Sequence, residues 1–248
     1  MKKKKIVIVG ATSAMATHCA RLWVQTPVEL TLLGRDHDRL TRIQHDLQTR
    51  SPESQIAIKV ALFTDPDEIS RLIHAIAIEG TIDIALIAHG SLGNQEQSQA
   101  SLSTCRDELE VNAISPVLFA EAFANVMEQK GCGTIAVISS VAGDRGRKSN
   151  YVYGAAKGLV TRYVQGLQHR FAGSLIHVLL IKPGPTNTPM TASLAAKGAK
   201  LASVETVAAG IVSAIERRKT LAYLPGKWGV IMMVIRHLPN FIFNKMNI

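Results

Sequence analysis

A chain of 248 residues that is 47% hydrophobic and 19% charged has ample apolar side chains for a packed core, which excludes intrinsic disorder and points to one large α/β domain or two small ones. Its net charge of +9 sits at the two ends: Lys2 to Lys5 are all lysine, and Arg217, Arg218, Lys219, Lys227, Arg236 and Lys245 stand in a tail without an acid. The stretch between is almost neutral, which excludes the basic stripe of a general nucleic-acid binder. In chain order the pattern reads strand Lys5–Val9, helix Met15–Val24, strand Val28–Leu33, helix Arg35–Arg50, strand Ile56–Leu62, helix Asp67–Glu79, strand Ile82–Ala88 and helix Ser103–Lys130. Then follow strand Thr134–Ser139, helix Val152–Phe171, strand Ile176–Ile181 and a last strand near Leu221–Leu224. Pro116 predicts a kink or local adjustment in the long fourth helix. Several strands are apolar at both parities, as strands covered on both faces are, and each has room for a crossover. This predicts an α/β fold with one doubly wound parallel sheet of Rossmann type over residues 1–224, followed by an apolar, basic tail over 225–248.

Targeting signals are not expected. Ile6-Val7-Ile8-Val9 is too short for a signal-peptide core, and Trp228–Ile235, the longest uncharged apolar run of the tail, is too short to span a bilayer. Cys19, Cys105 and Cys132 are scattered without metal spacing and read as thiols of a reducing compartment, so a cytoplasmic protein is expected.

The first strand ends in Gly10-Ala11-Thr12-Ser13-Ala14-Met15-Ala16. A glycine here allows a tight turn, and the helix that follows aims backbone N–H groups at a phosphate, with Thr12 and Ser13 adding hydroxyl donors or a cap. Alanines occupy two of the three usual glycine positions, so a plain strand-to-helix turn is an equal reading of this segment alone. The second strand ends in Gly34-Arg35, where a ribose-binding acid would suit NAD; the arginine suits the 2′-phosphate of NADP(H) instead, which is therefore favoured over NAD(H).

Tyr153 and Lys157 lie four residues apart near the start of a helix and so share one face. A neighbouring ammonium favours phenolate, which would lower a phenol from its ordinary pKa near 10. A drop of about three units needs roughly 4 kcal/mol of differential interaction, more than one lysine supplies, so a cofactor's positive charge would have to contribute. Ser140, thirteen residues upstream, stands at the carboxyl end of a strand, where open α/β sheets bind ligands.

Gly10-x-x-x-Ala14-x-Ala16, Asn112 within Glu110-Val111-Asn112-Ala113, Ser139-Ser140-x-x-Gly143, Tyr153-x-x-x-Lys157 and Pro183-Gly184-x-x-x-Thr188 occur in the order and spacing of the short-chain dehydrogenases/reductases, which the chain resembles over essentially its whole length. The resemblance implies strand order 3-2-1-4-5-6-7, a nicotinamide cofactor and an Asn112, Ser140, Tyr153, Lys157 tetrad. Tyr153 would protonate a ketone oxygen as hydride arrives, Ser140 would hydrogen-bond that oxygen, Lys157 would hold the nicotinamide ribose and depress the Tyr153 pKa, and Asn112 would keep a water in the proton relay. Gly10, Thr12, Ser13, Ala14, Met15 and Arg35 would bind the nucleotide half of the cofactor. Ala88, His89, Gly90, Pro183, Thr186 and Thr188 would line the rest. The usual Asn-Asn-Ala-Gly after the fourth strand reads Ile87-Ala88-His89-Gly90, and Leu62 with Phe63 replaces the acid beside adenine.

Asp144-Arg145-Gly146-Arg147, Ser149 to Gly154 and the tail segments Tyr223 to Trp228 and Arg236 to Pro239 look like the decaprenylphosphoryl-2-keto-ribose reductase branch, which implies a ketone on a polyprenyl phosphate. A soluble ketone such as a 3-oxoacyl thioester is the alternative, and a non-catalytic NADP-binding sensor or scaffold is an alternative of another class. On a continuous helix Arg236, Asn240 and Asn244 would form a polar stripe kinked at Pro239, with Trp228, Phe241, Phe243 and Lys245 suited to an interface. Three readings of the tail stay open: a cover over the substrate cleft, a subunit contact, or a peripheral anchor at the inner membrane surface. By analogy with the family, a homodimer or homotetramer is expected.

Overall fold

The computed structural model describes residues 3–196 and 198–246. Lys2 of the N-terminal basic run and residues 247–248 of the tail lie outside the described residues. In chain order the elements are β1 (Lys4–Val9), α1 (Ala14–Trp23), β2 (Val28–Gly34), α2 (His37–Arg50), β3 (Gln55–Val60), α3 (Pro66–Ile78), β4 (Ile84–Ile87), α4 (Gln95–Ala100), α5 (Leu102–Leu109) and α6 (Ser115–Lys130). After them come β5 (Gly133–Ile138), α7 (Tyr151–Arg170), β6 (Ile176–Pro183), α8 (Ala192–Ala196), α9 (Val204–Glu216), β7 (Leu221–Leu224), α10 (Lys227–His237) and α11 (Asn240–Phe243).

The seven strands form one parallel sheet in the order β3-β2-β1-β4-β5-β6-β7, as expected. The strand parity sorts the core into two layers. Ile6, Ile8, Leu30, Leu32 and Leu86 face α1, α2 and α9, where Cys19, Leu40, Leu47 and Ile211 are buried. Val7, Val9, Ala85, Ile87 and Val137 face the opposite layer of α3, α6 and α7, against Ile73, Phe119, Phe123 and Val164. Ile6 to Val9 are completely buried, which is why the first strand is apolar without alternation. Because β2 and β3 lie on one side of β1 and β4 to β7 on the other, the switch between β1 and β4 opens a crevice at the carboxyl ends of the strands.

The expected helix Ser103–Lys130 is instead two helices joined by a π turn over Glu110–Ile114. Pro116 has no N–H to offer the carbonyl four residues back, that of Asn112, and the N–H of Ser115 bonds to Glu110, five residues back. The proline therefore sits in the first turn of α6, and the irregularity precedes it rather than kinking a continuous helix. Among the described residues three helices of the body fall outside the sequence expectations: α4, α8 and α9. The short α4 is capped by Asn94, whose side chain accepts from the N–H groups of Glu96 and Gln97. The longer α9 buries Val204, Val207, Ala208, Ile211, Val212 and Ile215 on one face after a Ser203 cap.

The tail also differs from expectation. Leu238, ahead of Pro239, is extended (φ −62°, ψ 130°), as a residue preceding proline prefers. The helix ends there, α11 starts afresh, and the stripe of Arg236, Asn240 and Asn244 is not continuous. The tail is docked on the body. Asp144, buried in an ion pair with Lys182, accepts a 2.7 Å bond from the Tyr223 hydroxyl. The next residue, Arg145, donates to the carbonyls of Ile235 and Leu238 (2.6 Å each) and to Asn240 Oδ1 (3.0 Å), with its guanidinium 3.8 Å from the Phe243 ring centroid. Among the described residues no helix is long and apolar enough to cross a membrane.

Candidate active site

Two adjoining cavities, of about 400 and 360 Å³, open at the crevice and share Ser13, Met15, His89, Gly90, Thr188 and Met190. The first is the end of the phosphate-type turn. Gly10 adopts φ +76°, and a Cβ there would fall 2.6–2.7 Å from the backbone and Cβ of His89, so only glycine fits. The N–H groups of Gly10 and Ala11 both donate to the Leu33 carbonyl, at 2.9 and 3.0 Å, pinning the turn to β2. Thr12, Ser13, Ala14 and Met15 line the cavity. Ser13 is the N-cap of α1, but its hydroxyl makes no capping bond and no acid stands in the first turn. That leaves the positive end of the helix without an anionic side chain.

Arg35 is exposed on the rim of this cavity. Arg39, four residues on, is a rim residue that sequence reasoning missed, although its spacing from Arg35 was a readable signal; it donates to the Thr12 carbonyl at 3.3 Å. Leu62 lines the cavity at 63% exposure, while Phe63 is buried edge-on to His89 (4.9 Å) and Phe119 (5.1 Å). His89 is held on this wall by a 2.8 Å bond between Nε2 and Ser115 Oγ, and its Nδ1 is buried without a partner. Burial, reinforced by the charges of Lys157 and Arg35, drives its pKa down to about 3, so the ring is neutral at ordinary pH and acts as wall.

The second cavity gathers Ser140, Tyr153, Lys157 and Asn112, together with Ala88, Pro183 and Thr186. The end of β5 is stapled to α7: the Lys157 carbonyl accepts from Ser139 Oγ (2.9 Å) and Thr161 Oγ1 (2.8 Å). Gly143 packs so closely that a Cβ would lie 2.6 Å from the Lys157 carbonyl carbon. Ser140 caps the 3₁₀ turn Val141–Asp144, its Oγ accepting from the Ala142 N–H at 3.1 Å. Asn112, wholly buried in the π turn, accepts from the Ser91 N–H (2.9 Å) and donates to the Glu108 carbonyl (3.1 Å). Gly90 lets the chain pass close by: a Cβ would sit 2.8 Å from Asn112 Oδ1 and 3.2 Å from Lys157 Nζ. On the floor, Thr186 spends its hydroxyl on the Gly184 carbonyl (2.9 Å) and the N–H of Thr188 donates to Thr191 Oγ1 (3.1 Å).

The expectation is that Lys157 together with a cofactor's positive charge lowers the Tyr153 pKa; the chain's own groups act in the other direction. Burial dominates and raises it, opposed by hydrogen bonding to Ser140 and assisted by the charge of Glu108. Lys157 Nζ lies 5.7 Å from the tyrosine ring centroid, and burial pulls its own pKa down to about 8, which leaves it protonated at neutral pH. Glu108, a residue no sequence pattern singled out, accepts from the Gly93 N–H, and burial raises its pKa. The result is a neutral phenol beside a buried ammonium, an arrangement able to donate a proton to an oxyanion forming in the cavity. Arg147 and Asn150 line the same cavity and were not expected there as site residues. Among the described residues no cluster of His, Cys, Asp or Glu could hold a metal.

The family model described as short chain dehydrogenase matches residues 4–199. An uncharacterized oxidoreductase of Mycobacterium tuberculosis is 27% identical over 240 residues, covering 96% of this chain and 94% of its own length. Another, encoded in the mprA 5′ region of Streptomyces coelicolor, is 24% identical over 245 residues, covering 98% and 96%. Among solved structures, a short chain dehydrogenase from Burkholderia cenocepacia in complex with NADP superposes with a TM-score of 0.82 at 15% identity, covering 98% of this chain and 97% of the other. A short-chain dehydrogenase from Sphingobium yanoikuyae in complex with NADPH gives 0.80 at 20%, covering 98% and 96%. With the glycine turn, the strand order and the family match in agreement, the chain belongs to the short-chain dehydrogenases and is a nicotinamide-dependent oxidoreductase of that type.

Proposed function

We propose that the protein is an NADPH-dependent carbonyl reductase whose unit of catalysis is residues 1–224, with the tail over 225–248 as an accessory segment. The observation that carries this reading is the convergence of Asn112, Ser140, Tyr153 and Lys157 on one cavity that adjoins the Gly10 turn. The residues present fit a nicotinamide dinucleotide: Gly10 clears the floor where any Cβ would collide, and the uncapped start of α1 suits a pyrophosphate. Arg35 and Arg39 on the rim favour a 2′-phosphate, hence NADP(H) over NAD(H). When bound, the reduced cofactor supplies the hydride. Tyr153, kept protonated by burial, donates its Oη proton to the ketone oxygen. Ser140 hydrogen-bonds that oxygen, Lys157 places a positive charge beside the phenol and holds the ribose, and Asn112 orders the relay that returns the proton.

For the substrate we favour a lipid-linked keto-sugar. Leu92, Val141, Met190 and Leu194 make one side of the cavity apolar. The tail presents Val230, Met233 and Val234 on the outer face of α10, beside Phe241 and Ile242 of α11, and its charged residues are all basic, as suits peripheral contact with an anionic membrane. A homodimer or homotetramer is proposed on family analogy alone. The test is NADPH oxidation with a 2-keto-pentofuranosyl polyprenyl phosphate beside a panel of 3-oxoacyl thioesters. Preferred turnover of the lipid-linked ketone supports the reading, whereas turnover confined to thioesters transfers the enzyme to soluble ketones. Cofactor binding without turnover on any ketone would make it a sensor. Tyr153→Phe should reduce kcat by about 10²–10⁴-fold while leaving the NADPH Kd unchanged; undiminished turnover removes Tyr153 from the role of acid.

A further inference from the structure

Two arginines separated by one glycine behave in opposite ways. Arg145 follows the 3₁₀ turn in extended backbone (φ −155°, ψ 133°). Its guanidinium is fully engaged by the tail. Arg147 lines the catalytic cavity instead, with Ser140 and Tyr153. Its Nε is buried without a hydrogen-bond partner, and among the described residues no carboxylate forms an ion pair with it. Asn150, at the start of α7 and on the same cavity, likewise buries Oδ1 without a partner and makes no side-chain cap.

A guanidinium drawn out of water is costly unless an anion or acceptors meet it. Here the Arg147 Nε is buried with neither, and burial accordingly holds its pKa below the ordinary arginine value. Protein groups satisfy Arg145, whereas the unmet Arg147 donor lies on the wall of the cavity. Guanidinium is suited to phosphate and carboxylate, which it can grip through two parallel bonds. The neighbouring walls, Leu92, Val141 and Leu194, offer no polar group to a ligand's remainder.

We propose that Arg147 is the specificity residue for an anionic group, phosphate or carboxylate, carried by the substrate ketone, with Asn150 accepting from a hydroxyl on the same molecule. The proposal rests on the reductase reading for the ketone but not for the anion, and its test reads binding rather than turnover. Calorimetric titration of the enzyme saturated with NADP+, which keeps the first turn occupied, would use decyl phosphate, decanoate and decanol as probes. Wild type should bind the two anions roughly 10- to 100-fold more tightly than the alcohol. Arg147→Gln should remove most of that difference while leaving decanol binding unchanged, and Arg147→Lys should recover part of it. The two anions compared with each other distinguish phosphate from carboxylate. Equal binding of anions and alcohol by wild type overturns the proposal without any variant, as does a folded Arg147→Gln protein that binds the anions as wild type does. Selective anion binding by an enzyme that reduces no ketone would leave Arg147 in place and remove the reductase reading.

Discussion

The two ends of the cleft are built by different means. The nucleotide end is made of backbone and exposed side chains: the Gly10 turn, the start of α1, and Arg35, Arg39 and Leu62 on the rim. The reacting end is made of buried side chains fixed by one another, with Asn112 at 0% and Lys157 at 3% exposure and the Lys157 carbonyl held by two hydroxyls. Most departures from the family pattern fall at the first end, where Ala14, Ala16 and Leu62 stand for the usual glycines and acid, while those in Ile87-Ala88-His89-Gly90 fall where the two ends meet and leave the tetrad untouched. A contact made through backbone or at a solvated rim tolerates exchange, because few partners must adjust. Asn112, wholly buried with bonds to the Ser91 N–H and the Glu108 carbonyl, does not, since each orphaned group costs about 1–3 kcal/mol.

That contrast can be broken first at Gly10, where the two ends touch through His89. Gly10→Ala adds a Cβ 2.6–2.7 Å from the His89 backbone at φ +76°, and should lower stability by more than about 2 kcal/mol in a denaturant titration, together with cofactor binding. A fully stable, active variant would show that the ends are not rigidly joined. Next in size, Arg35→Ala combined with Arg39→Ala should weaken NADPH by roughly 10- to 100-fold, leaving NADH affinity and kcat at saturation nearly unchanged. Equal weakening of both cofactors would place the arginines elsewhere in binding.

A pH experiment sharpens the same comparison. His89 titrates near 6.5 unfolded and about 3 folded, so between those values the unfolded chain binds the extra proton. The stability this ring contributes is present above about pH 6.5 and is lost as pH falls towards 3. The denaturation midpoint of wild type should therefore drop further between pH 7 and pH 4 than that of His89→Gln, and parallel curves would refute the assignment. The smallest effect is expected at Glu108, whose charge raises the Tyr153 pKa. Glu108→Gln should move the alkaline limb of the reduction profile to lower pH, because the acid form of Tyr153 is then lost earlier. A limb that stays in place would uncouple the two residues.

The strand pattern was legible because the inner strands β1, β2, β4, β5 and β6 are covered on both faces, and the order and spacing of the tetrad carried the site. What escaped was decided by distance or by burial. The spacing of Tyr153 and Lys157 places them on one face but is silent on desolvation, which reverses the direction of the phenol's shift. The tail reads as one kinked helix until Arg145, more than ninety residues away, is seen holding its carbonyls at the break before Pro239. Helix α9 carried a readable apolar period at Val204, Val207, Ile211 and Ile215, masked by its β-branched content. Arg147 stood in the Asp144-Arg145-Gly146-Arg147 segment that carried the resemblance, but its place on the cavity wall was not readable, since a basic loop residue looks solvated until that wall is known.

The π turn over Glu110–Ile114 holds one residue more than a regular helix between the same endpoints. Read as a length, it is an insertion written into the backbone, and Asn112 is the residue it carries inward. Deleting Val111 would remove that extra residue and turn Asn112 off the cavity wall, with Phe119 and Phe123 still packed under the sheet and Pro116 still interrupting the helix. One codon would then separate a chain that assembles from a chain that catalyses.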